Sequence, residues 1–143
     1  MKIRDVMTNQ VVRIQPEESV SVAARTLTHY NIGMLPVCGT DGRVCGVVTD
    51  RDLVTRCVAS GRNPAATPVR DVMSTNVISA VSAMTTEEAA KLMGSRQIRR
   101  LPVVENGKLC GMVSLGDLAN RQDTNTEAGK ALSEISSNLS RRD

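Results

Sequence analysis

Two hydroxyl–carboxylate pairs, Thr49 with Asp52 and Ser114 with Asp117, are the residues best placed by type and spacing to do chemistry in this chain. They sit in Gly46-Val-Val-Thr-Asp-Arg-Asp-Leu53 and Gly111-Met-Val-Ser-Leu-Gly-Asp-Leu118, which share one order: glycine, two apolar residues, hydroxyl, two spacers, aspartate, leucine. An apolar run ending on a hydroxyl residue reads as a strand meeting a helix, with Thr49 or Ser114 at the N-cap. One reading of the pair is structural. A hydroxyl at the N-cap and an acid three residues on satisfy amides that the first helical turn leaves open, contributing about 1 kcal/mol. The other reading is a binding site. Free N–H groups and the positive end of the helix dipole suit a phosphate. The hydroxyl adds a hydrogen bond, and an aspartate can accept two from a vicinal ribose diol. Capping and binding are compatible.

Other reactive side chains form no catalytic or metal-binding pattern, so an enzyme is not expected. His29 is the only histidine, on a predicted helix with no partner in view. Cys38, Cys45, Cys57 and Cys110 make no C-x-x-C and no zinc spacing. Cys45 and Cys110 occupy matching strand positions and read as small core residues. No phosphate-binding glycine loop or dinucleotide fingerprint occurs. Three arginines stand near the paired motifs. Arg51 lies inside the first T-x-x-D, where the second copy has Gly116. Arg99 and Arg100 directly precede Leu101-Pro102, where the first copy has Gly33 and Met34. They are either phosphate-facing or solvated surface charges.

Composition narrows the partners. With one Tyr and no Phe or Trp, the chain has no platform on which successive bases could stack, which argues against a nucleic-acid partner. A net charge of +3 suggests neither nucleic acid nor a membrane surface by itself. No apolar run approaches the roughly 20 residues of a membrane span. The start, Met1-Lys-Ile-Arg-Asp-Val-Met-Thr-Asn9, lacks the apolar region of a signal peptide. The expected compartment is the cytoplasm, with reduced thiols.

The elements that must position the pairs come from a repeat. Ile3-Arg-Asp-Val-Met-Thr8 recurs as Val69-Arg-Asp-Val-Met-Ser74, and Leu35-Pro-Val37 recurs as Leu101-Pro-Val103, both 66 residues on. One residue is dropped in the following turn, and an offset of 65 then carries Gly46 onto Gly111 and Asp52 onto Asp117. Each copy predicts β-α-β-β-α. The first extended segments are 11–14 and 77–79. The next helix is capped by Ser19 in copy one, with Val20, Ala23, Ala24, Leu27 and Tyr30 on one face. In copy two Thr85 and Glu88 form a capping box ahead of Ala89, Leu92, Met93 and Arg96. Two strands follow around a tight turn, 35–38 with 44–48 and 101–104 with 109–113, with Asp41-Gly42 and Asn106-Gly107 as hairpin signals. The organisation is repeat one at 3–59, a Gly- and Pro-containing linker at 60–68, repeat two at 69–122, and an amphipathic helix and tail at 123–143, with Ala128, Leu132, Ile135 and Leu139 at helical spacing.

The doubled series R-D-V-M-[TS], L-P-V and G-h-V-[TS]-x-x-D-L resembles the CBS domain, named after cystathionine β-synthase, over about residues 3–120. The resemblance implies an α+β fold of two repeats packed by pseudo-twofold symmetry, a Bateman module, here with the C-terminal helix added. It implies a regulatory or sensor role. An adenine nucleotide (AMP, ADP or ATP) would act as regulatory ligand rather than catalytic cofactor, in the cleft between repeats, with Mg2+ left open. It assigns Asp52 and Asp117 to ribose, and Thr49, Arg51, Arg99, Arg100 and Ser114 to phosphate. Across the pseudo-twofold axis Arg99 and Arg100 would face the phosphates of the first site. Val11, Val12, Arg13, Ile14, Val77, Ile78 and Ser79 would contact the adenine through backbone or wall, together with Val48 and Val113. It further implies a homodimer formed through the repeats and a regulated protein partner. The alternative is a ligand-free dimerisation or partner-interaction module, in which the paired motifs only cap helices.

Overall fold

The computed structural model describes residues 1–119, together with Ala131 and Ile135. It is mixed α+β, with two short two-stranded sheets. Among the described residues no helix is long and apolar enough to cross a membrane. The chain forms two compact units. Among the described residues, the first comprises 1–11, 78–106 and 110–119 with Ala131 and Ile135; the second comprises 12–77 with 107–109.

In the second unit, helix α1 (Val20–Tyr30) begins where the Ser19 hydroxyl accepts from the Val22 amide at 3.2 Å. It ends at Asn31, whose left-handed backbone (φ 54) closes the helix. Val20, Ala23 and Leu27 are buried, whereas Ala24 and Tyr30 are exposed, so the apolar stripe is narrower than the sequence predicts. Strands β1 (Met34–Cys38) and β2 (Val44–Thr49) pair antiparallel, Leu35 opposite Val48 and Val37 opposite Gly46, with an irregularity after Val37 that leaves Cys38 opposite Val44. Helix α2 (Asp50–Leu53) passes into a π-helical turn, Val54–Val58, in which the Ala59 amide donates to Val54 O, five residues back. The core holds Ile14, Leu27, Leu35, Val37, Val48, Leu53 and Cys57, and also Val69 and Val72 from beyond the linker.

The first unit repeats this plan with α3 (Thr86–Arg96), β3 (Arg100–Glu105), β4 (Lys108–Ser114), of which Lys108 and Leu109 belong to the second unit, and α4 (Leu115–Ala119). Asn106 and Gly107 both have positive φ (53 and 79), as a two-residue type I′ hairpin turn requires. The expected capping box of Thr85 and Glu88 is only half formed. Thr85 accepts from the Glu88 amide at 3.1 Å, but the Glu88 carboxylate takes the Thr85 hydroxyl proton at 3.0 Å instead of its amide. Residues 1–3 run along the Thr85 backbone, bonded on both sides of it, with Ile3 N–H to Met84 O and Thr86 N–H to Met1 O. Of the predicted C-terminal helix, Ala131 and Ile135 are helical and buried in this unit's core; the rest of it lies outside the described residues.

The first strand of each copy is shorter than predicted. Residues 11–13 and 77–79 form no ladder. Only Ile14 and Ala80 do, as single parallel bridges to Val37 and Val103. The chain turns at once after each, with Glu18 N–H to Gln15 O and Met84 N–H to Val81 O. Pro16 also lacks the N–H that a longer strand would use. Residues 60–68, predicted as a linker, are built into the second unit. Val20 N–H donates to Thr67 O and Ser21 N–H to Pro64 O, which satisfies open amides at the start of α1. The buried Thr67 hydroxyl donates to Asn63 O at 2.8 Å.

The R-D-V-M segments are exchanged between the sequence copies. Residues 3–8 belong to the unit built from copy two, and residues 69–74 to the unit built from copy one. The same hydrogen bonds recur in both. Ile3 N–H to Met84 O matches Val69 N–H to Glu18 O, and Arg4 N–H to Ser82 O matches Arg70 N–H to Pro16 O. Thr8 exchanges both backbone bonds with Met112 (2.8 and 2.9 Å), and Ser74 does so with Val47 (2.8 and 2.9 Å). Both dockings need a glycine. A Cβ on Gly46 would lie 2.5 Å from Ser74 O and 3.0 Å from Met73 Sδ; on Gly111 it would lie 2.6 Å from Met7 Sδ and 3.1 Å from Thr8 O.

This packing can be tested at the glycines. Gly46→Ala pushes a methyl into backbone oxygen, so it should cost about 2–3 kcal/mol in denaturant unfolding. Gly111→Ala should cost less, because the Met7 side chain can yield; equal stability of Gly46→Ala and wild type would refute the docking. A second test concerns acid. Hydrogen bonds from the Ser82 hydroxyl and amide hold the Glu105 carboxyl below its ordinary range. A carboxyl depressed on folding stabilises above its unfolded pKa and loses that contribution as pH falls through its folded value. Glu105→Gln should therefore melt lower than wild type at neutral pH, and the gap should narrow in acid. A gap unchanged with pH contradicts this.

Candidate functional site

β2 and β4 end in extended backbone and deliver Thr49 and Ser114 to the starts of α2 and α4. Both hydroxyl–carboxylate pairs close as reciprocal capping boxes. The Asp52 amide donates to Thr49 Oγ1 at 3.1 Å and the Thr49 amide to Asp52 Oδ2 at 2.9 Å. The Asp117 amide donates to Ser114 Oγ at 3.0 Å and the Ser114 amide to Asp117 Oδ2 at 2.8 Å. The next amide is also held: Asp50 N–H donates to Gly33 O (3.1 Å) and Leu115 N–H to Arg99 O (2.8 Å). The residue ahead of each L-P-V strand is thereby fastened to its own box.

These boxes differ from the Thr85 cap in what they leave over. The Thr85 hydroxyl spends its proton on Glu88. The Thr49 and Ser114 hydroxyls accept, and among the described residues their protons have no acceptor. Each aspartate uses Oδ2 for the cap. Among the described residues Asp52 Oδ1 has one distant contact, 3.9 Å to Arg56 Nε, and the Asp52 side chain keeps 16% of its surface exposed. A donated hydroxyl proton and a second carboxylate oxygen therefore remain for a polar ligand.

The structure divides the candidate residues between the units. The second unit holds Thr49, Arg51 and Asp52 with Val12, Arg13, Ile14, Val48 and Val77. The first holds Ser114 and Asp117 with Val11, Ile78, Ser79, Arg99, Arg100 and Val113. Ile14, Val48 and Val113 are 2%, 0% and 0% exposed, so their side chains are taken by the core. Val11, Val12, Val77 and Ile78 are the half-buried apolar surface, while Arg13 and Ser79 are exposed. Arg51, Arg99 and Arg100 are exposed and form no ion pair among the described residues.

Cys45 is exposed rather than a small core residue, while Cys38, Cys110 and the histidine are poor candidates for nucleophilic chemistry. Burial pushes the Cys38 thiol up, against the opposing pull of the Arg13 guanidinium, and burial also raises Cys110. A raised thiol is protonated and weakly nucleophilic at neutral pH. His29 is exposed, and its ring meets Tyr30 edge to face, with centroids 4.7 Å apart. Among the described residues no group of three His, Cys, Asp or Glu could hold a metal ion.

Sequence reasoning missed Arg56. Its Nη1 donates to Val72 O (3.3 Å) and Met73 O (3.2 Å), while Nε faces Asp52. It thus touches both the box and the docked R-D-V-M segment. The signal was present, since Arg56 recurs as Arg121 at the same offset of 65 that relates the boxes.

Known proteins share this architecture. The CBS domain profile matches residues 3–59 and 69–123. The CBS domain-containing protein YhcV of Bacillus subtilis is 43% identical over 134 residues, covering 94% of both chains. A CBS-domain protein of Burkholderia ambifaria, described as a signal-transduction protein, superposes with a TM-score of 0.69 at 31% identity, over 78% of this chain and 82% of that one. A hexameric CBS-CP12 protein from bloom-forming cyanobacteria does so with a TM-score of 0.70 at 26% identity, over 86% and 68%. The chain belongs to the CBS domain family, carrying two CBS domains in the tandem arrangement of regulatory and signal-transduction modules.

Proposed function

We propose that this CBS pair is a regulatory sensor without turnover of its own that binds an adenine nucleotide of the AMP, ADP or ATP class at its T/S-x-x-D boxes. The observation that carries the reading is the pair of boxes that cap a helix and still keep a hydroxyl proton and a carboxylate oxygen to offer. In the CBS pattern the hydroxyl turns toward phosphate and the aspartate toward ribose. The exposed, unpaired Arg51, Arg99 and Arg100 are the cations available to phosphate, and Val11, Val12, Val77 and Ile78 the apolar surface available to a base. Regulation then requires only that the ligand bind one arrangement of the protein better than another.

The two boxes are unequal. Thr49 and Asp52 have Arg51 between them, whereas Ser114 and Asp117 have Gly116. A hydrogen bond to a charged group contributes about 1.5–3 kcal/mol, and about 1.4 kcal/mol is tenfold in affinity. A phosphorylated adenosine should therefore prefer the first box. By calorimetry, Asp52→Ala should weaken AMP or ATP binding at least about tenfold and Asp117→Ala much less. Equal losses, or a larger one at Asp117, would sink the asymmetry, and no nucleotide binding by the wild-type protein would sink the ligand assignment.

Self-association accompanies this reading. Val54 and Val58, four residues apart on the turn after α2, are 58% and 61% exposed, an unusual exposure for large apolar side chains. The cyanobacterial CBS-CP12 relative is hexameric. The same face favours the interaction-module reading, with or without a ligand, and a regulated protein is a further candidate partner. We expect a homodimer by light scattering at tens of micromolar; a monomer there contradicts it.

A further inference from the structure

We infer that Arg56 is a positioning residue that links the Asp52 carboxylate to the docking of residues 69–74, so that what binds Asp52 and how firmly that segment is held affect each other. The inference rests on the ligand reading above for its biological sense, but its geometry stands independently.

Arg56 lies one helical turn beyond Asp52 and reaches in two directions. Its Nε is 3.9 Å from Asp52 Oδ1, the carboxylate oxygen not used by the cap. Its Nη1 donates to the carbonyls of Val72 and Met73 at 3.3 and 3.2 Å. Those two residues are where the R-D-V-M segment meets the rest of the second unit. Val72 is fully buried in the core, Met73 packs where a Gly46 side chain would be, and Ser74 then exchanges backbone bonds with Val47. The two carbonyls lie 16 and 17 residues along the chain from Arg56, so their shared guanidinium is a tertiary link rather than a local one.

The chemistry gives the link its direction. A planar guanidinium presents five donors in a fixed fork and keeps its charge at any relevant pH. Asp52 Oδ1 helps fix where the fork points. A diol that donates to Oδ1 competes with Arg56 for that oxygen and removes part of the fork's restraint, while Nη1 remains committed to the two carbonyls. Linkage makes the effect reciprocal. Lysine cannot reproduce it, since one ammonium cannot span two carbonyls and a carboxylate in this fork geometry.

The experiment is amide hydrogen exchange at Val47 and Ser74 in the full chain, run as a double-mutant cycle with Arg56→Gln and Asp52→Asn. The carboxamide introduced by Asp52→Asn keeps an acceptor for the Thr49 amide, so the cap survives. Each single variant should speed exchange at both amides about threefold or more, and the double variant should add little, because contacting residues are not additive. Additive effects, or no effect of Arg56→Gln at these amides, overturn the inference. Arg56→Lys should behave like Arg56→Gln; full retention of wild-type protection by lysine overturns the fork argument. A second arm uses AMP. In the wild type AMP should alter exchange at Ser74, and in Arg56→Gln it should still bind by calorimetry but leave Ser74 unaltered; the same change in both overturns the inference. Failure of AMP to bind the wild type overturns the nucleotide reading, while the cycle still decides the Asp52–Arg56 link.

Discussion

The contact on which this structure depends is the approach of a backbone to a glycine. Ser74 O sits where a Gly46 side chain would begin, and Met7 and Thr8 crowd the same place at Gly111. Glycine inside a strand is ordinarily a weakness, since it contributes no side chain and costs conformational entropy. Here it lets a second segment pair with the outer edge of the hairpin, Ser74 with Val47 and Thr8 with Met112. That pairing brings Val69 and Val72 into one core and Ile3 into the other, all at 0% exposure. Full burial of such a side chain contributes about 1.5–3 kcal/mol. The chain just before each docked segment also presents a carbonyl to a helix start, Thr67 O to Val20 and Met1 O to Thr86. One missing Cβ per copy thus admits a segment that completes the sheet edge, the core and a helix cap together.

The box at the end of β2 or β4 inherits its precision from that arrangement. Its hydroxyl, carboxylate and neighbouring amide are fixed by the strand before, the helix after and a carbonyl, Gly33 O or Arg99 O, from the residue ahead of β1 or β3. The backbone scaffold is repeated, and the boxes differ in their two spacers: Asp50 and Arg51 in the first, the buried Leu115 and Gly116 in the second. Arg51 and Gly116 are exposed and can differ without disturbing either cap. A scaffold of this kind permits two boxes with the same capping backbone and differently placed charges.

Much of this was legible in the sequence. The repeat, both hairpins, the Ser19 cap and the two boxes follow from residue types at fixed offsets, and the structure shows each of them. The exchange of segments was not legible, for a specific reason. Both copies carry the same R-D-V-M-[TS] and the same receiving glycine, so pairing within a copy and pairing across copies satisfy the pattern equally. Residues 11–14 and 77–79 misled because β-branched residues favour extended backbone whether or not a ladder forms. Tyr30 misled because helical spacing marks a stripe but not its width. Arg56 was obscured by its type, since a surface arginine on a helix is usually solvated; only its recurrence as Arg121 distinguished it.

Exchange of the segments has a consequence for a sensor. The R-D-V-M segment that opens copy two in sequence is docked in the second unit, and the chain passes into the first unit between Val77 and Ile78. The only residues separating Ser74 from that passage are Thr75, Asn76 and Val77. Residues 72–74, which carry the carbonyls that Arg56 holds and the pairing with Val47, therefore lie within a few residues of that passage. Val11 and Val12 form the equivalent passage after Thr8, whose pairing with Met112 lies on the strand that ends at Ser114. The segment docked beside each box thus ends only a few residues of chain before a crossing between units. The exchange thus places each crossing of the chain within a few residues of a segment that pairs with the strand leading to a box.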